Sequence, residues 1–204
     1  MLTGGLLAHY FALVANGGDN TVTPLDLTNP LVPVPQTAIM VGNYPLGIAI
    51  SPNGLFALVA NSGDNTVTPL NLTNPLVPVP QTAKTVGNYP IGIARSPNGL
   101  FALVANLSDG TVTPLDLTNP LVPVPKTAQT VGTSPYGIAI SPNGLFALVA
   151  NSGDNTVTPL DLTNPLVPVP KTAQTVGLGP NGIAISPNGL FALVVNGGDT
   201  LSLR

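Results

Sequence analysis

The sequence predicts an all-β protein: a β-propeller of about five 45-residue blades, the first and last incomplete. Three observations predict it. Ser51-Pro-Asn-Gly-Leu-Phe-Ala-Leu-Val-Ala-Asn61 recurs from Ser96 and Ser141, and from Ser186 with Val195 in place of Ala, each 45 residues after the last. Short apolar segments separated by turn residues fill each unit. The 24 prolines and the lack of a 3.6-residue apolar period exclude a helix longer than a turn or two. A partial open propeller and a β-solenoid with about two coils per unit are the competing architectures.

The elements of one unit follow in order. Gly47-Ile-Ala-Ile50 is the first strand, and its small residues suit the crowded inner wall of a ring. Ser51-Pro-Asn-Gly54 is a turn. Leu55-Phe-Ala-Leu-Val-Ala60 is a continuous apolar run, so this second strand is expected to be buried on both faces. Asn61-Ser-Gly-Asp-Asn65 reads as a hairpin loop, because Asn, Gly and Asp tolerate left-handed backbone. Thr66–Leu72 is the third strand. The chain then passes Pro75, Pro78 and Pro80 into Thr82–Val86, an outer edge, because proline removes ladder donors. Proline also stands inside the third strand, at Pro24, Pro69, Pro114 and Pro159, where it should break a ladder bond or force a bulge. The units approximate residues 2–46, 47–91, 92–136, 137–181 and a partial 182–204, within a single repeat domain 1–204. Residues 47–91 and 137–181 differ at only six of 45 positions, which implies recent internal duplication.

Composition excludes several functions. Charged residues are 6% of 204, against about 25% in ordinary soluble proteins. There is no cysteine, so no disulfide framework or thiolate site. Five cations in the whole chain cannot neutralise a run of phosphates, which argues against nucleic acid. No apolar run reaches the roughly 18 residues of a membrane-spanning helix. The apolar stretch Gly5–Ala15 has no basic residue before it and shares the repeat register, so it reads as strand rather than signal peptide.

Leu58-Val-Ala-Asn-Ser-Gly-Asp-Asn-Thr-Val67, continued through Val86-Gly-Asn-Tyr-Pro-Ile-Gly-Ile-Ala94, resembles the bacterial YVTN-type β-propeller repeat. Thr133-Ser-Pro-Tyr-Gly-Ile-Ala139 is the nearest copy of its Val-Gly-x-x-Pro-x-Gly-Ile-Ala element. The resemblance runs from about Phe11 to Asp199. It implies an exported or cell-surface protein, related to surface-layer propellers and lactone hydrolases. Family rings usually have more blades, so a truncated propeller fragment without independent function is a rival reading.

No constellation of residues announces catalysis. The lone His9 has no repeat equivalent, and a serine-type triad would need it beside Ser and Asp. Asp19, Asp64, Asp109, Asp154 and Asp199 recur in the hairpin loop, and Asp26, Asp116 and Asp161 end the third strand. Such repetition favours turns and caps over a catalytic pair. Asn61, Asp64 and Asn65 are too few oxygens for a calcium cage, and the third copy, Asn106-Leu-Ser-Asp-Gly110, tolerates change. No cofactor or metal is expected.

Binding is the favoured function. In a propeller, the loop approaching each first strand and the second-to-third-strand hairpin share one end. The approach loops vary: Asn43-Tyr-Pro-Leu46, Asn88-Tyr-Pro-Ile91, Thr133-Ser-Pro-Tyr136 and Leu178-Gly-Pro-Asn181. Asn43, Tyr44, Asn88, Tyr89, Tyr136 and Asn181, with Asp64, Asn65 and Asp154 of the hairpins, are the candidate contact residues for a protein or small-molecule ligand. The sequence favours a non-catalytic binding or structural module over a lactonase-like hydrolase. Two further expectations follow. Arg95 replaces the Ile of the other copies and must reach the channel, the surface or an Asp. Unpaired strand edges near Leu2–Gly5 and Thr200–Leu203 invite self-association.

Overall fold

The computed structural model describes residues 10–198. His9 and the edges expected near Leu2–Gly5 and Thr200–Leu203 lie outside the described residues. Five antiparallel sheets follow one another along the chain. The first holds β1 (Phe11–Asn16), β2 (Thr21–Asp26), β3 (Val34–Pro35) and β4 (Ile39–Met40). The second holds β5 (Pro45–Ile50), β6 (Phe56–Asn61), β7 (Thr66–Asn71), β8 (Val79–Pro80) and β9 (Lys84–Thr85). The third holds β10 (Pro90–Arg95), β11 (Phe101–Asn106), β12 (Thr111–Asp116), β13 (Val124–Pro125) and β14 (Gln129–Thr130). The fourth holds β15 (Pro135–Ile140), β16 (Phe146–Asn151), β17 (Thr156–Asp161), β18 (Val169–Pro170) and β19 (Gln174–Thr175). The fifth holds β20 (Pro180–Ile185) and β21 (Ala192–Asn196). Each sheet is a propeller blade, and no helix occurs among the described residues.

The proline expected to disturb the third strand acts elsewhere. β6 and β7 pair without a break, with Leu58 opposite Pro69. The Pro69 carbonyl points outward and accepts the Gln81 amide at 2.8 Å. Its missing N–H therefore faces the fourth strand. There the outer edge is split, β8 pairing with Leu70 and Asn71, and β9 with Thr66 and Val67. The register shift lies instead in the first strand, between Pro45 and Gly47.

The core lies between blades. Leu58 and Val67 of the second sheet pack with Ala102, Val104, Leu115 and Leu117 of the third. The equivalent clusters join the first sheet to the second and the third to the fourth. β6 and β11 are buried at every residue, which explains their unbroken apolar sequence. First strands of adjacent blades lie side by side so closely that only glycine fits: a Cβ on Gly47 would meet the Ile91 carbonyl oxygen at 2.1 Å, and one on Gly92 that of Tyr136 at 2.2 Å.

Arg95 is half-buried, and among the described residues it forms no salt bridge to an Asp. It bends between blades, where Nη2 donates to the Gly99 carbonyl at 2.6 Å and the guanidinium stacks 3.9 Å above the Phe56 ring. Nε and Nη1 are buried without an acceptor. Burial pushes its pKa down to about 10, so it stays charged at neutral pH.

Candidate functional site at the loop end

The hairpin loops and approach loops do meet at one end of the blades, where the repeated polar residues bond to each other. Asn61 turns inward, its Nδ2 donating to Thr66 Oγ1 at 3.0 Å and Thr68 Oγ1 at 2.8 Å, so it closes the hairpin. Asp64 accepts from the Asn43 backbone amide at 2.6 Å and from Asn43 Nδ2 at 2.7 Å. Asp109 holds Asn88 in the same way, at 2.7 Å for both bonds. Asp64 and Asp109 thus each clamp the approach loop of their own blade. The hairpin Asn reaches the next blade: Asn20 Oδ1 accepts the Tyr44 amide, and Asn65 Oδ1 the Tyr89 amide, both at 2.9 Å. Asn65 Nδ2 also donates to Asn88 Oδ1 at 3.0 Å. Among the described residues no group of three or more His, Cys, Asp or Glu side chains could hold a metal ion.

This latch supports backbone that is otherwise disfavoured. Tyr44 and Tyr89 sit at φ 53° and 54°, and Ser134 at 52°. Left-handed geometry at such residues costs on the order of 1–2 kcal/mol each; Asn acceptors fix it at Tyr44 and Tyr89, whereas Ser134 adopts it opposite Gly110 without one. The Tyr44 and Tyr89 rings face each other, centroids 6.5 Å apart and tilted 44°, and both are partly exposed. Tyr136 and Asn181 are exposed too, but they belong to the first strands β15 and β20, not to the approach loops proper.

One junction departs from the pattern. Between the third and fourth sheets, Gly110 stands where the others have Asn20, Asn65 or Asn155, and Ser134 stands where Tyr44 and Tyr89 stand. Glycine has no side chain to close the latch. A groove of about 590 Å³ opens there, lined by Leu107, Ser108, Asp109, Gly110, Thr130, Gly132, Thr133, Ser134 and Asp154. This falls in the usual size range of small-molecule sites, roughly 300–1,000 Å³. Two carboxylates and four hydroxyl-bearing side chains, Ser108, Thr130, Thr133 and Ser134, line it. The Thr133 amide donates to Asp154 Oδ2 at 2.5 Å. That amide, followed by the Thr133 hydroxyl, holds the Asp154 carboxyl below the usual carboxylate range. Asp154 is therefore an ionised acceptor rather than a proton donor.

Of the predicted contact residues, only Asp154 lines this groove. Asn43, Asn88, Asp64 and Asn65 serve as latches, while Tyr44 and Tyr89 form their own exposed pair. Gly110, Thr133 and Ser134 were overlooked as site formers. Their signal was the departure of the third hairpin, Asn106-Leu-Ser-Asp-Gly110, which reads as tolerance until its position against the next blade is known.

No family model matches the sequence, and no curated protein matches it. Solved structures do. The chain is similar to Kuenenia stuttgartiensis hydrazine synthase, at 28% identity and a TM-score of 0.67, over 78% of this chain and 43% of that one. It is similar to a Bacteroides uniformis protein provisionally named a 6-phosphogluconolactonase, at 18% identity and a TM-score of 0.83, over 93% of this chain and 61% of that one. It is similar to the periplasmic gluconolactonase PpgL of Pseudomonas aeruginosa, at 18% identity and a TM-score of 0.77, over 91% and 60%. The fold is thus that of a β-propeller, and the chain spans between 43% and 61% of the length of these three.

Proposed function

We propose that the chain is a lactonase-like propeller module whose loop end takes a small polyhydroxylated ligand, of the sugar-lactone class, in the groove beside Gly110. The observation that carries this is the single junction where the Asn latch is replaced by glycine and a polar cavity opens. Ser108, Thr133 and Ser134 supply hydroxyls, and Asp109 and Asp154 supply acceptors for ligand hydroxyls. The named lactonases among its structural neighbours lean toward the hydrolase alternative over the non-catalytic module that the sequence favours. In the hydrolase reading, Asp154 acts as an ionised electrostatic group or hydrogen-bond acceptor, in keeping with its lowered pKa. Membership of the YVTN-type repeat group belongs to the same reading, supported by the Val-Gly-x-x-Pro-x-Gly-Ile-Ala element. Residence outside the cytoplasm also belongs to it, supported by the periplasmic neighbour.

Calorimetric titration with glucono-1,5-lactone and with its ring-opened acid, alongside a pH-stat assay of lactone opening, tests this. Gly110→Asn restores the latch and fills the groove, and position 110 has φ 65°, which Asn accepts. It is expected to weaken binding at least tenfold and leave the melting temperature unchanged or higher. Lactone opening that falls with the same substitution selects the hydrolase; binding without turnover selects the non-catalytic module. Absence of both, or binding indifferent to Gly110→Asn, overturns the proposal.

A further inference from the structure

Arg95 closes β10, at the opposite end of the blades from the groove beside Gly110. The blade itself does not require it, since Ile50, Ile140 and Ile185 fill the same position in other copies. Its Nη2 is held by the Gly99 carbonyl and its face by Phe56, while Nε and Nη1 have no acceptor. Gly99 and Phe56 are also walls of a cavity of about 240 Å³ between the second and third blades. The turns at 51–54 and 96–99 flank this cavity. No carboxylate lines it. A buried cation with spare donors is costly unless an acceptor meets it.

A second departure from the repeat falls at the same place. Ser96, Ser141 and Ser186 each donate from Oγ to the Asn two residues on, at 2.7 Å. Ser51 Oγ accepts the Phe56 amide at 3.1 Å, but among the described residues no such bond joins it to Asn53. Its proton is left for a group in the cavity that both residues line.

We infer that this cavity binds a small monocarboxylate with a short apolar tail, the carboxylate held by the Arg95 guanidinium and the Ser51 hydroxyl. One cation calls for one negative charge, and no lysine lines the cavity to offset a second. The guanidinium fork matches a planar carboxylate. Pro52, Phe56, Leu100 and Leu117 offer the tail apolar walls. The cavity's 240 Å³ is the share of about eight waters at ~30 Å³ each, which suits a short-chain acid such as butyrate. Binding exchanges the bond to the Gly99 carbonyl for the carboxylate and brings the spare donors into use.

Titration with sodium butyrate, against sodium chloride at matched ionic strength, tests this by calorimetry and thermal scans. At about ten times its Kd, butyrate is expected to raise the wild-type melting temperature by roughly 3–6 °C over chloride. Butyramide, similar in shape but uncharged, should leave it unchanged. Arg95→Ile should melt higher than the wild type in chloride and lose the response to butyrate. Arg95→Lys keeps the charge without the fork and should weaken binding by about tenfold or more; it carries the test should Arg95→Ile lose the wild-type circular dichroism spectrum. Gly110→Asn, at the other end, should leave butyrate binding intact. Equal melting in butyrate and chloride, a response to butyramide, or an Arg95→Ile or Arg95→Lys protein that binds as the wild type does overturns the inference. So does a response lost with Gly110→Asn, which would place the ligand in the other groove. Phosphate acting as strongly as butyrate overturns the assignment to a monocarboxylate.

Discussion

Arg95 shows how one side chain disturbs an otherwise repeated blade. Its neighbours in the repeat are Ile50, Ile140 and Ile185, and its own Nε and Nη1 are buried without acceptors. The bond to Gly99 and the stacking on Phe56 offset part of that cost. Arg95→Ile is expected to raise stability by about 1 kcal/mol, hence the melting temperature by roughly 2–4 °C. A lower melting temperature in a thermal scan would mean that the guanidinium is serving a ligand. Acid is the second residue-scale lever. The Thr118 amide, then Lys126 at 3.2 Å, hold the Asp116 carboxyl below the ordinary range. The Thr163 hydroxyl and amide, then Lys171 at 3.0 Å, do so for Asp161, and the Thr133 amide for Asp154. As pH falls, the unfolded chain takes up these protons before the folded one does. Their stabilisation is therefore complete above about pH 5 and lost as pH falls through the lowered folded values. Melting temperature should be flat from pH 7 to about 5 and decline below about 4, modestly, since Asp154 is exposed and Asp116 and Asp161 are only partly covered. A melting temperature that climbs on acidification contradicts the assignment of these bonds.

At the scale of elements, much of the blade is readable from sequence. The unbroken apolar run Phe56–Ala60 gave a strand buried on both faces, and β6 is one. Small residues in the first strand pointed to a crowded inner wall, and the 2.1 Å and 2.2 Å approaches at Gly47 and Gly92 are its physical form. Gly92→Ala is expected to cost about 3 kcal/mol or more, since carbonyl oxygens of the neighbouring strand cannot yield as a flexible side chain does. Gly18→Ala is the control, with nothing within 4 Å of the added methyl, and should change stability by less than about 0.5 kcal/mol. Equal effects in urea denaturation would refute the close approach. The effect of Pro69 was harder to read, because sequence shows that a donor is missing but not which side of the strand it faces. The left-handed Tyr44 and Tyr89 were also illegible: tyrosine carries no preference for that geometry, and the Asn that holds it lies 24 residues upstream.

For the whole molecule, period and strand order were legible because they repeat, whereas the groove was not because it arises from a single exception. Gly110 alone suggests a loose turn; only against Thr133 and Ser134 of the next blade does it become an opening. The candidate contact residues share one end of the blades, yet most are tied to each other by hydrogen bonds that sequence cannot display. The substantial blade contacts run only from neighbour to neighbour, through the same residues each time. That regularity has a genetic side. Copies differing at six of 45 positions are easily misaligned during recombination, so whole units of 45 codons can be gained or dropped in frame. Every surviving blade would still meet a neighbour bearing its accustomed Ala, Val and Leu, so such a gene can change length without an intermediate that fails to fold.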